Sequence, residues 1–111
     1  MKHNLQQFKA DFFKALSHPQ RIRILELLAE GEKNVHELQA LMGAEGSSVS
    51  QQLSVLRAKN IVYGTKQGNR VVYALRDPMI MDLLNIAKQI FNNHLIDAIT
   101  MLDKIKDDEE K

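Results

Sequence analysis

The 111-residue chain contains no cysteine. That single absence excludes disulfides, thiolate metal sites and thiol-based redox sensing together. No apolar run reaches the roughly 18 to 20 residues needed to span a bilayer, and the opening MKHNLQQFKADFF mixes charge into its apolar pattern where a signal peptide would carry an uninterrupted apolar core. The expected location is the cytoplasm, with no membrane partner. Internal repeats and low-complexity linkers are missing too. No nucleophile, base and orienting group fall together, and no glycine-rich loop suited to cradling phosphates occurs, so an enzyme is not expected. One further absence is local: from Gly46 to Arg76 there is neither Asp nor Glu.

What is present is one domain's worth of chain with an apolar fraction of 44%, enough for a small core. The net charge of +1 conceals an uneven distribution. Arg57, Lys59, Lys66, Arg70 and Arg76 all fall in the acid-free block, whereas the segment after it, Asp77 to Lys111, carries eight carboxylates against four lysines. A basic block inside a nearly neutral protein suits a polyanion-facing surface, although a solvated face alone gives the same composition.

Hydrophobic spacing divides the chain into elements. Leu5, Phe8, Phe12, Phe13 and Leu16 recur at helical spacing, so residues 4–16 read as an amphipathic helix holding all but one of the four phenylalanines. Ser17, His18 and Pro19 stop it and start another: Ser17 or His18 caps, and Pro19 takes a first-turn position where its missing N–H is no loss. Ile22, Ile24, Leu25, Leu27 and Leu28 form the buried side of the second helix, which Gly31 ends. GEKN reads as a polar connection. Asn34 caps a third helix, VHELQALM, with Val35, Leu38 and Leu41 or Met42 inward. After a turn through Gly43, the segment SSVSQQLSVLRAKN places Val49, Leu53 and Leu56 at i, i+4, i+7. The period then switches to that of strands in IVYGTK and RVVYAL, a hairpin around Gln67, Gly68 and Asn69. Asp77 and Pro78 open a last long helix with a broad apolar surface from Ile80 to Ile105.

The expected fold class is mainly α with a small β-hairpin, a winged helix-turn-helix of about five helices and a two-stranded wing. A single domain over residues 1–106 is expected to include N- and C-terminal helices for dimerisation, with 107–111 a charged, frayed tail. The mechanical logic favours DNA. The major groove of a duplex admits one helix whose outward side chains are short and carry donors and acceptors. Ser47, Ser48, Ser50, Gln51, Gln52 and Ser54 meet both demands, and Arg57 at the far end suits the backbone. Carboxylates in that position would be repelled by phosphate. The wing supplies Lys66, Gln67, Asn69 and Arg70.

Three stretches resemble the ArsR/SmtB-type winged-helix repressors: FKALSHPQRIRILELLAEG is similar to that family's opening segment, VSQQLSVLRAKNIV to its recognition helix, and GNRVVYALRDP to the second strand of its wing. Gln52 stands where many members carry His, and Glu45-Gly46 occupies a turn where Ser or Pro with Gln is common. The resemblance implies a homodimer joined through the first and last helices. The residues support this independently, because Leu5, Phe8 and Phe12, together with Leu84, Ile90, Phe91, Leu95 and Ile99, exceed what one small core is expected to bury. Such a dimer would set two recognition helices at half-sites about 34 to 36 Å apart on a palindromic operator.

Many members of the family sense metals. The sensor cysteines typical of the third helix are missing here, leaving His36 alone in NVHELQAL. The last helix has Asp82, yet Leu84 stands at the expected His position. His94 and Asp97 lie one turn apart, so Asp82, His94 and Asp97 are weak candidates for zinc. No cofactor is expected. The leading expectation is a repressor of double-stranded DNA released by an unidentified inducer or regulatory protein. The alternatives are a metal-responsive relative and a winged-helix module for protein–protein assembly.

Overall fold

The computed structural model describes residues 4–109; of the tail expected at 107–111, residues 110 and 111 lie outside them. Their order is α1 (Leu5–Leu16), α2 (Pro19–Ala29), β1 (Lys33–Asn34), α3 (Val35–Met42), α4 (Gly46–Ala58), β2 (Val62–Gln67), β3 (Arg70–Leu75) and α5 (Met79–Glu109). The helix-turn-helix with a wing is present, and the chain is mostly helical. Two compact units divide at residues 81 and 82, the second consisting of α5 from Asp82 onward. No helix of the described residues is long and apolar enough to cross a membrane.

The starts of α1, α2 and α3 and the end of α3 have local causes. The Asn4 side chain accepts from the Gln7 N–H at 3.0 Å and starts α1. His18 is the cap of α2: its Nδ1 accepts from the Gln20 N–H at 3.1 Å, and Pro19 follows at the first helical position. Asn34 forms a full capping box, accepting from the Glu37 N–H at 2.9 Å while the Glu37 carboxylate accepts from the Asn34 N–H at 3.1 Å. At the end of α3, Gly43 adopts φ 61°, ψ 30°, the left-handed conformation that costs glycine nothing and turns the chain toward α4.

The first unit's core is aliphatic. Ile24, Leu25, Leu27 and Leu28 of α2, Leu38 of α3, Val49, Leu53 and Leu56 of α4, and Ile61 and Val62 at the entry to the wing are all buried. One expected core position differs: Ile22 is 37% exposed. Of the two alternatives at the end of α3, Leu41 is 54% exposed and Met42 is the half-buried one.

The sheet has three strands in the order β1-β3-β2, all antiparallel. GEKN is therefore more than a connection: Lys33 and Asn34 pair with Tyr73 and Val72. Two residues are too few for a period-of-two pattern to register in the sequence. This pairing ties the start of α3 to the middle of β3.

Candidate nucleic-acid interface

Helix α4 begins at Gly46 after Glu45, whose side chain makes no capping bond, so the first N–H groups of the helix carry no side-chain acceptor. A helix start in that condition attracts anions. Its other end is closed by backbone bonds of the Schellman type: the Ile61 N–H donates to the Leu56 carbonyl and the Asn60 N–H to the Arg57 carbonyl, both at 3.0 Å. Asn60 takes the left-handed conformation at φ 58°, which Asn tolerates better than most residues. Ile61 and Leu56 are both buried, the apolar contact that accompanies this motif. The recognition segment and the wing are thus joined by a fixed turn.

Val49, Leu53 and Leu56 hold α4 to the core with at most 1% exposure, and this fixes which face is free. Ser47, Gln51 and Ser54 are exposed and share the outward stripe at i, i+4, i+7. Ser50 and Arg57, also exposed, flank it on one side. Ser48 and Gln52 flank it on the other and are only half exposed. The six Ser and Gln residues are consequently not equivalent. Ser48 Oγ donates to Gln20 Oε1 of α2 at 2.7 Å, so its proton is committed within the domain. Ser54 Oγ donates to the Ser50 carbonyl at 3.0 Å and offers outward only lone pairs. Gln51 alone sits central, exposed and with an amide able to donate and accept at once. Gln20 was not visible as part of this arrangement in the sequence, because its partner lies 28 positions away.

In the wing, β2 and β3 pair from Val62 with Leu75 out to Gln67 with Arg70. Gly68 at φ 63° occupies the first position of the two-residue turn, as primed hairpin turns require. Gln67 therefore belongs to a strand, with Gly68 and Asn69 alone forming the tip. Directly paired residues share a face and neighbours alternate. Lys66, paired with Val71, thus lies on the opposite face of the ribbon from Arg70, paired with Gln67. One cation projects from each side of the tip. Nearer the base, the Arg76 guanidinium stacks over the Tyr63 ring at 5.4 Å from its centroid, so this cation is partly engaged inside the domain.

On α5, Ile90 (62%) and Phe91 (69%) are largely exposed, as are Leu95 and Ile99, while Leu84 is half-buried. On α1, Leu5 and Phe8 are exposed and Phe12 is half-buried against Phe13, the two rings meeting edge to face at 5.7 Å. Asp82, His94 and Asp97 are exposed on α5, and among the described residues no three His, Asp or Glu side chains come together as a metal-binding group.

Residues 18–63, from the cap of α2 into β2, match the family model described as bacterial regulatory protein, arsR family. An HTH-type transcriptional regulator of Mycobacterium tuberculosis is 42% identical over 103 residues, covering 92% of this chain and 90% of that protein. Its crystal structure superposes with a TM-score of 0.80, over 88% of this chain and 99% of that one. A homodimeric winged helix-turn-helix DNA-binding domain from Mycobacterium bovis, 27% identical, gives a TM-score of 0.74 over 82% of this chain and 84% of that one. The biofilm growth-associated repressor of Xylella fastidiosa is 37% identical over 82 residues, 74% of this chain and 72% of that protein. The chain belongs to the ArsR family of bacterial regulatory proteins, and it is a DNA-binding transcriptional regulator, not an enzyme.

Proposed function

We propose that the protein is a repressor that binds a palindromic operator as a homodimer, reading bases with the exposed stripe of α4 and gripping the backbone with the wing. The observation that carries this reading is the division of α4 into a buried aliphatic side and an exposed, uncharged Ser and Gln side, inside a segment with no carboxylate from Gly46 to Arg76. Gln51 is the principal base reader, with Ser47, Ser50 and Gln52 beside it. Ser48 positions the helix through Gln20, Ser54 contributes as an acceptor, and Arg57 meets phosphate. Lys66 and Arg70, on opposite faces of a ribbon, suit a wing whose tip enters a groove and meets a phosphate strand on each side; Asn69 in the tip and Gln67 at the end of β2 add polar contacts beside them.

Dimerisation is supported by the apolar stripes left in water on α1 and α5 and by the homodimeric state of the M. bovis domain. Leu5, Phe8, Phe12, Leu84, Ile90, Phe91, Leu95 and Ile99 are its proposed contacts. The reading assigns no metal: release from DNA falls to a small-molecule inducer or a regulatory protein. Equilibrium dialysis against zinc checks this, and saturable binding lost on His94→Ala would shift the assignment to Asp82, His94 and Asp97. Selection of bound sequences from a random duplex pool tests the function itself. The expected product is a palindrome with half-sites one helical turn, about 10 to 10.5 base pairs, or a multiple apart; a pool with no enriched sequence would sink the proposal.

A further inference from the structure

Behind the exposed stripe of α4, a recess of about 280 Å³ opens between α1, α2 and α4, lined by Asp11, Lys14, Ala15, Arg21, Val55 and Lys59. Three of its six walls are cations. The one carboxylate already accepts from the Gln7 amide at 3.0 Å. Among the described residues the ion pair formed is Arg23 with Glu26, and none of Lys14, Arg21 and Lys59 has a carboxylate within salt-bridge distance. Arg21 is the sharper case, because its Nε is shut off from solvent and has no hydrogen-bond partner. Buried donors are ordinarily paired, so Arg21, which lines the recess, carries an unsatisfied donor behind that wall.

We propose that this recess binds a small anionic ligand, an oxyanion such as phosphate or carboxylate carried on a compact, partly apolar body. Arg21 supplies the directional donors through the terminal N–H groups of its planar fork, which matches an oxyanion better than an ammonium does. Lys14 and Lys59 close over the charge from two sides. Val55, Ala15 and the aliphatic stems of the lysines hold the apolar part. The volume lies near the lower end for ligand sites and suits a molecule of few atoms. Because Val55 belongs to α4 and Lys59 is the cap at its C-terminal end, occupancy is transmitted to the helix that faces DNA, a consequence that rests on the proposed function; binding itself does not depend on it.

The test uses the full-length protein free of DNA, titrated calorimetrically with phenyl phosphate and with inorganic phosphate at constant ionic strength, while amide NMR shifts of Val55 and Lys59 are followed. Saturable binding of one phenyl phosphate per chain, tighter than inorganic phosphate, is expected. Arg21→Gln should weaken it about fivefold or more, as loss of a charge-assisted bond does, and Arg23→Gln should leave it unchanged. Lys59→Gln, altering an exposed side chain, gives the same weakening should Arg21→Gln fail to fold. Wild-type protein that shows no saturation, or equal weakening by Arg23→Gln, overturns the proposal. So does a protein blind to phenyl phosphate in which Lys59→Gln lowers the salt slope of DNA binding by about one unit, since the recess would then seat a backbone phosphate.

Discussion

Truncating Phe91 to alanine should dissociate the proposed dimer while leaving the fold of each chain intact. Phe91 is 69% exposed in the single chain, so it contributes little to that chain's own core. A phenylalanine side chain offers about 150 to 250 Å², of which roughly 100 to 170 Å² then stands in water. Covering that area at about 25 cal/mol per Å² is worth roughly 2.5 to 4 kcal/mol per protomer as an upper bound. The retained Cβ and the incomplete conversion of interface area into affinity lower this to about 2 kcal/mol. Symmetry applies the loss twice, giving about 4 kcal/mol and close to a thousandfold in the dimer dissociation constant. Sedimentation equilibrium over a concentration series measures it, with far-UV circular dichroism to verify the helices. Asn92→Ala, one position on and exposed, should change nothing. A dimer constant for Phe91→Ala equal to that of the wild type would refute the placement of the interface on α5.

Gln51→Ala should reduce discrimination between operator and random DNA by about 1 to 3 kcal/mol, measured by competitive binding, whereas Ser48→Ala should act through loss of its bond to Gln20 and lower stability instead. Equal weakening on both DNAs would remove base reading from Gln51. Lys66→Ala and Arg70→Ala should each lower the slope of log K against log salt by about one unit, and the double variant by about two; a slope unmoved in the double variant would detach the wing from the backbone. Asn60→Val should cost about 1 to 2 kcal/mol in urea unfolding, because a β-branched residue resists the left-handed conformation that closes α4. An unchanged midpoint would mean that the turn is not held as described.

Most of this architecture was legible because its signals are local. Three buried positions at i, i+4, i+7 place α4 unambiguously, and Asn34 announces the start of α3 as its cap. What escaped the sequence depends on contacts distant along the chain. Lys33 and Asn34 become a strand only because β3 lies beside them. Ser48 and Gln51 look alike in a list of polar residues, yet one donates into α2 and the other faces outward. The register of the wing separates Lys66 from Arg70, although both simply flank the tip in the sequence. Arg21 belongs to a regular helical pattern, and its unpaired Nε becomes visible only in the folded chain.

The central claim, that the acid-free segment from Gly46 to Arg76 faces duplex DNA, is tested most directly by fluorescence anisotropy of the purified protein with a selected palindromic duplex and a scrambled one across a salt series. Tight binding of the palindrome, weaker binding of the scramble, and a linear fall of log K with log salt at about 0.9 units per neutralised phosphate are predicted. Affinity for duplex DNA that is undetectable at low salt, or that does not respond to salt at all, would contradict the account.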